Sequence, residues 1–441
     1  MKFYSVLGKS PGVDFSTVLL QGLAPDGGLY VPEEIPKLSQ PFIDQFDRST
    51  LHEIGCEVIS KFLPEIPKET IAAVIQKSLT FPIPLVRLEE QLFLLELFHG
   101  PTLAFKDVGA RFMAEMMSYV LSLRQQDITI LVATSGDTGS AVAHGFFGVP
   151  HVTVNVLYPS GKISRLQEQQ MTTLGGNIQA FEVDGTFDDC QRLVKLALVD
   201  QEILAMRSLT TANSINIGRL LPQVVYYVWA YAQWKHIHGN SDVSPTLVVP
   251  SGNFGNLTAA VYAKWMGIAF RSFVAATNAN DVVPKYFQSG VFTPQPSLAT
   301  LSNAMDVGNP SNMSRLQSLY QNDVGRLRDD ITAMSFSDND TLEEIRQTYK
   351  RTGYILDPHT AVGVAAARRF MVQDKRRSPI IITATAHPAK FGTTIQRAID
   401  VEVPLPLSLQ EAMTKTKQSI PLRAEYRQFK ELLLVQSPYS A

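Results

Sequence analysis

Hydrophobic and polar positions along the chain switch repeatedly between two periods. Leu92–Leu97, Ile128–Ala133, Val152–Leu157 and Ile178–Val183 are short apolar runs that predict strands. Between them Val108–Leu123, Ser140–Phe147 and Lys162–Leu174 carry apolar residues at helical spacing. Gly175-Gly176 reads as a helix stop, and Thr186 with Asp189 as a capping box opening a helix over Cys190–Val199. After a long helix, about Ile215–His236, the pattern resumes. It predicts strands at Leu247–Pro250, Phe270–Ala275 and Ile380–Thr385, and helices at Leu257–Met266, Asp340–Thr352 and Ala361–Met371. Apolar strands alternating with helices mean βαβ units and parallel sheets, an α/β protein. Ahead of this lies a different unit. The turn-rich Gly22–Pro32 is followed by helical patterning at Leu51–Phe62 and Lys68–Lys77, and Pro82 and Pro84 then break the pattern. The tail after about 400 is punctuated by proline and turns helical from about Ala424.

The chain has 441 residues, beyond the roughly 250–300 at which one core stops growing. We expect an N-terminal domain over 1–85, a first α/β segment over 86–240, a second over 241–400 and a C-terminal extension over 401–441. The 39 basic and 41 acidic residues leave a net charge of −2, which argues against a nucleic-acid partner. The N-terminus carries no signal-like apolar stretch, and the longest apolar run, Val224–Ala232, is far short of the roughly 18 residues of a spanning helix. No membrane partner is expected. Two cysteines far apart, Cys56 and Cys190, cannot make a disulfide framework and fit a reducing, cytoplasmic setting.

Two segments, Val132–Gly139 and Val249–Asn256, share one shape: apolar strand, Gly/Ser/Asn/Thr-rich turn, helix. Such a turn aims backbone N–H groups, and the helix dipole, at an anion. Neither matches the nucleotide-hydrolase or dinucleotide fingerprints, and either could be a tight turn and nothing more. In Phe98–Asp107, Lys106 follows apolar residues and opens a helix. Burial and the dipole both disfavour its ammonium there, which prepares an amine as a nucleophile; from position alone an exposed first-turn lysine is the plainer reading. The eight histidines give no metal-ligand spacing: His52-Glu53 is followed by Cys56 where a zinc motif needs histidine. The loop Thr383–Phe391 follows an apolar strand, where α/β proteins place ligand crevices. An activated amine, a backbone phosphate cup and a third polar loop together suit pyridoxal phosphate.

The segments Phe98–Asp107, Ser135–Gly139, Pro250–Asn256, Ser302–Asp306 and Thr385–Phe391 resemble the motifs of the threonine synthase family. So do Gly22–Pro32, Gly161–Ser164 and Asn213–Asn216, in the same order over about residues 1–395. The resemblance implies the fold-type-II, tryptophan-synthase-β-like architecture: two parallel-sheet α/β domains with an additional N-terminal domain. It implies that Lys106 is the Schiff-base lysine and that Gly252, Asn253, Phe254, Gly255 and Asn256 form the cofactor-phosphate loop. It puts the hydroxyl of Thr385 at the pyridine nitrogen, and Ser135, Gly136, Asp137 and Thr138 near the substrate carboxylate. Asp137 departs from related cysteine synthases, which have Asn there. The implied reaction turns O-phospho-L-homoserine and water into L-threonine and phosphate. Lys162, Arg165 and Lys390 are candidates, by type and loop position, for the cations the leaving phosphate needs. No metal is implied, and a monomer or weak homodimer is expected. Two rivals are a phospho-lyase releasing a keto acid and a non-catalytic phosphometabolite-binding protein on the same fold.

Overall fold

A computed structural model describes residues 1–239, 243–374 and 378–435. In chain order its strands are β1 (Phe3–Ser5), β2 (Tyr30–Pro32), β3 (Leu85–Arg87), β4 (Leu92–Glu96), β5 (Ile128–Ala133), β6 (Val152–Pro159), β7 (Ile178–Asp184), β8 (Leu209–Thr211), β9 (Thr246–Pro250), β10 (Phe273–Thr277), β11 (Ile331–Ser335), β12 (Ile380–Ala384) and β13 (Ile420–Arg423). One sheet has the order β11-β10-β9-β12-β4-β3 and is parallel apart from the β3–β4 pair. The other, β13-β7-β6-β5-β8, is parallel throughout. Every residue of β4, β5, β9, β10 and β12 is buried. Helices cover both faces of such a sheet, so its strands read as unbroken apolar runs rather than alternating ones.

Parallel pairing fixes where the site lies. β9, β12 and β4 all point one way, so the segments after Pro250, Ala384 and Glu96 leave the same edge of their sheet. The segment after Ala133 leaves the carboxyl end of β5 in the other sheet, and a cavity between the sheets collects residues from all four connections, Phe105 and Lys106 coming from the one after β4. The N-terminal helices Leu51–Phe62 and Lys68–Ser78 pack near the long helix Ile217–His238. Thr50 and Glu53 cap the first of them reciprocally. These elements share one continuous core with the inner faces of both sheets. Separate apolar clusters fill the outer face of each sheet.

Several elements differ from the sequence expectation. The helix expected over Lys162–Leu174 is Arg165–Thr172, because Ser164 and Gln167 form a capping box that sets its start. The strand expected at Phe270–Ala275 runs Phe273–Thr277; Ile268 and Phe270 are buried in the entry to it rather than paired. β8, β11 and β13 carry too few apolar residues to stand out. The sheets also cross the expected ranges. β4 precedes Lys106 yet pairs with β12, and β13, inside the expected extension 401–441, completes the five-stranded sheet beside β7. Lys417 anchors that return, bridging Glu168 at 2.7 Å and Glu182 at 2.6 Å. Residues 436–441 of the extension lie outside the described residues. Among the described residues no helix is long and apolar enough to cross a membrane, and no cluster of metal-ligating side chains is present.

Candidate active site

Lys106 is the first residue of the helix Lys106–Arg124, and the turn before it is stitched in place from two sides. The Asp107 carboxylate accepts from Thr102 N (2.8 Å) and Thr102 Oγ1 (2.6 Å). A Cβ on Gly100 would lie 2.4 Å from that carboxylate, so only glycine lets the turn close. Leu103 sits at φ +58°, a strained conformation for a leucine. Phe105 N–H donates to the Thr385 carbonyl (2.9 Å) and His387 N–H to the Leu103 carbonyl (3.1 Å), binding the turn to the segment after β12. Burial pushes the Lys106 amine down to about 8; Asp137 pulls it up, while Arg219 and Lys390 add to the depression.

The turn after β9 leads into the helix Gly255–Trp265. Its asparagines are spent on its own shape. Asn256 Oδ1 accepts from Ser251 Oγ (2.9 Å) and Leu257 N–H (3.0 Å), and its Nδ2 donates to the Pro250 carbonyl (2.8 Å). Asn253 accepts from Ser311 N–H (2.6 Å) and donates to Ser214 Oγ. Phe254 caps the helix at φ +63° with no side-chain hydrogen bond, and the first turn holds no acidic residue. The leading N–H groups, which lack intrahelical acceptors, are thus available at the cavity wall for an anion. A Cβ on Gly252 would lie 2.6 Å from Met305 Cα, whereas one on Gly255 would make only ordinary contacts at 3.4 Å and beyond.

The turn after β5 is finished by protein groups instead. Thr134 Oγ1 accepts from Gly136 N–H (2.9 Å) and Gly139 N–H (2.8 Å). Asp137, in the first turn of the helix Asp137–Phe146, accepts from Gln167 Nε2 (3.0 Å) and pairs with Lys390 Nζ at 2.6 Å. Lys390 also donates to the Thr102 carbonyl at 2.9 Å. Burial would raise the Asp137 carboxyl, but Lys390 and Lys106 outweigh it and hold it well below the usual carboxylate range.

Lys106, Ser135, Asp137, Thr138, the five residues Gly252–Asn256, and Thr385 therefore line one cavity, with Gly136 between two of them. Arg165 and Lys390 line an adjoining cleft of about 930 Å³. Lys162 is exposed on the turn after β6 and lines neither. Lys390 differs most from its expectation as a loop cation open to substrate: its side chain is fully buried and its ammonium is committed to Asp137 and Thr102. Arg219 and His359 are among the lining residues that sequence reasoning missed. Arg219 is 4% exposed, donates to the Ala212 carbonyl (2.6 Å), and leaves its Nε without a partner. His359 is 3% exposed and lies 2.9 Å from Asp357. Leu356-Asp357-Pro358-His359 reads as a helix start, so the available signal was only a histidine next to a capping aspartate. An amine with a lowered pKa, an uncapped helix N-terminus and a strand-end hydroxyl share one cavity. That donor set fits pyridoxal phosphate, which needs an aldehyde partner, a phosphate site and a ring-nitrogen partner.

Comparison with known proteins agrees with this geometry. The family described as pyridoxal-phosphate dependent enzyme matches residues 78–385. Threonine synthase N terminus matches residues 2–79, and threonine synthase, C-terminal, matches 360–433. The chain is similar to threonine synthase of Haemophilus influenzae, at 43% identity over 98% of this chain and 100% of that one. The crystal structure of Escherichia coli threonine synthase superimposes with a TM-score of 0.91 at 39% identity, covering 98% of this chain and 99% of that one. A pyridoxal-phosphate-bound threonine synthase from Brucella melitensis superimposes with a TM-score of 0.92 at 35% identity, covering 100% of both.

Proposed function

The chain belongs to the threonine synthase family of pyridoxal-phosphate-dependent enzymes, and from that premise we propose that it converts O-phospho-L-homoserine and water to L-threonine and phosphate, with Lys106 as its catalytic amine. The observation that carries the assignment of residues is the shared cavity: Lys106 on one wall and the uncapped start of the helix Gly255–Trp265 on another. Lys106 would hold the aldehyde carbon of the cofactor, the N–H groups of Gly252–Asn256 would hold its phosphate, and the Thr385 hydroxyl would serve its pyridine nitrogen. When bound, the cofactor supplies an electron sink for the pair left behind when a substrate carbon loses a proton.

The protein supplies the proton traffic and the orientation. With its pKa lowered to about 8, Lys106 keeps a far larger fraction of free amine near neutral pH than an ordinary lysine, as suits a group that takes a proton and returns it. It serves the protons at Cα and Cβ of the substrate. Ser135, Gly136, Asp137 and Thr138 orient the substrate carboxylate end, with Thr134 and Gln167 fixing the shape of that turn. Among the cations proposed for the leaving phosphate, Arg165 borders the adjoining cleft and Lys162 stands on the turn before it. Lys390 acts from inside, through Asp137.

A monomer or weak homodimer remains part of this proposal. Unpaired Cys56 and Cys190 support a cytoplasmic setting. The experiment is to supply O-phosphohomoserine to the holoenzyme and measure phosphate, threonine and keto acid together. One threonine per phosphate is expected. Phosphate accompanied by keto acid in place of threonine would identify a phospho-lyase, and no phosphate at all would leave only binding.

A further inference from the structure

One wall of the cavity is the segment Ser302–Asp306, which holds the short 3-10 turn Asn303–Met305. Ala304 and Met305 line the cavity, and Met305 lies so near Gly252 that any Cβ there would collide with its Cα. The far end of this wall is tied down locally. The Asp306 carboxylate accepts from Thr300 Oγ1 (2.7 Å), Thr300 N–H (3.0 Å), Asn278 Nδ2 (2.8 Å) and Asn280 Nδ2 (3.2 Å). Its middle is held from another element. Ala304 N–H donates to Nε2 of His359 at 3.1 Å, and His359 belongs to the helix Pro358–Gln373.

That bond fixes the chemistry of the imidazole. A backbone N–H can only donate, so Nε2 carries no proton and the neutral ring keeps its proton on Nδ1. Nδ1 faces Asp357 Oδ1 at 2.9 Å, an acceptor for exactly one such proton. Asp357 is itself immobilised: it caps the helix, accepting from His359 N–H and bonding Thr360 Oγ1. The Phe391 ring packs on the imidazole at 5.0 Å and leaves it 3% exposed.

We infer that His359, held in its Nδ1–H tautomer by Asp357, is a positioning residue that fixes the Ser302–Asp306 wall against the Gly252–Asn256 turn. The inference rests on the proposed function only for what the wall encloses. In this role His359 acts through the backbone segment it holds rather than on a reacting atom. It sets the spacing between two backbone segments, and so governs how firmly an anion at the turn is retained.

The test compares three variants of the full chain with wild type. His359→Gln keeps an acceptor that can reach Ala304, and His359→Leu removes it. Asp357→Ala removes the acceptor at Nδ1, so the ring is free to take the other tautomer and present an N–H to Ala304, donor against donor. Amide hydrogen exchange over residues 302–306 is measured without cofactor, and cofactor release from the holoenzyme is followed by its absorbance. Exchange at Ala304 is expected to be at least about tenfold faster in His359→Leu and Asp357→Ala than in wild type. His359→Gln should stay near wild type, and cofactor release should follow the same ranking. Equal exchange in all four proteins would overturn the inference, as would His359→Gln behaving like His359→Leu. If His359→Leu fails to fold, Asp357→Ala against His359→Gln decides. Exchange that responds as expected in a protein that binds no cofactor would sink the functional reading and leave this one standing.

Discussion

The turns after β5 and β9 look alike in sequence, each a glycine-bearing link from an apolar strand to a helix. Their surroundings are opposite. The first brings its own anion: Asp137 occupies the helix N-terminus, with Lys390 as its counter-ion and Gln167 bound to it. A Cβ on Gly136 would lie 2.4 Å from Gln167, so neighbouring side chains already fill that turn. The second has no acidic residue in its first helical turn, no capping side chain, and asparagines bonded to the turn's own backbone and neighbours. One helix N-terminus is neutralised from within and the other waits for a ligand. The dipole argument applies equally to both and cannot choose between them; the choice is made by whether a carboxylate follows the glycine.

The comparison gives Lys106, which stands between the two turns, the largest role. Lys106→Ala should reduce turnover by on the order of 10³-fold or more and remove the visible absorbance of the lysine-bound cofactor, with the fold retained. A reducible covalent adduct persisting in the variant would place the reactive amine elsewhere. Next in size is the internal anion. Lys390→Met strands Asp137 in a buried site, and losing one partner of a buried pair costs about 3 kcal/mol or more. Denaturant midpoints measure it, and a loss below about 1 kcal/mol would mean that Asp137 does not depend on Lys390.

The contrast can also be abolished by giving the second turn a carboxylate. Gly255→Asp should leave stability within about 1 kcal/mol of wild type, since an acid in a first helical turn suits the dipole. The same change should weaken cofactor binding about tenfold or more by repelling the phosphate. Unchanged affinity in a fluorescence titration would show that the phosphate sits elsewhere.

The smallest effect is a shift in titration. Lys106 in the cofactor-free protein is ammonium below about pH 8 and free amine above it. Asp137→Asn removes a charge that favours the ammonium, so the midpoint should move down; Lys390→Met removes a repelling cation, so it should move up. Labelling of Lys106 by an amine reagent across pH, read by mass spectrometry, follows both. The sign carries over to stability. With the folded pKa below the ordinary 10.5, the unfolded chain binds more protons between about pH 8 and 10.5. The contribution of Lys106 to stability therefore rises with pH through that window.

Much of the frame could be read along the chain. The limits of β5 and of the helix Leu51–Phe62 coincide with their apolar patterns, whereas the glycine turns and Lys106 stand out only when taken together and through the family resemblance. What escaped depends on distant partners. Lys390 reads as a loop cation because nothing near it in sequence reveals Asp137. His359 reads as part of a helix cap because Asp357 does cap the helix, and its second duty appears only once Ala304 arrives. Short strands such as β8 and β13 owe their existence to the neighbour they pair with rather than to their own composition.

The return of β13 to lie beside β7 also sets a schedule for synthesis. β5, β6, β7 and β8 leave the ribosome long before Ile420–Arg423, so the β7 edge stays uncovered until that later segment has been made. A bare parallel edge is a template for pairing with another chain, and contacts this far apart along the sequence form late in folding. A nascent or truncated chain ending before Ile420 is therefore the form most exposed to aggregation, although every residue lining the cavity has already been made.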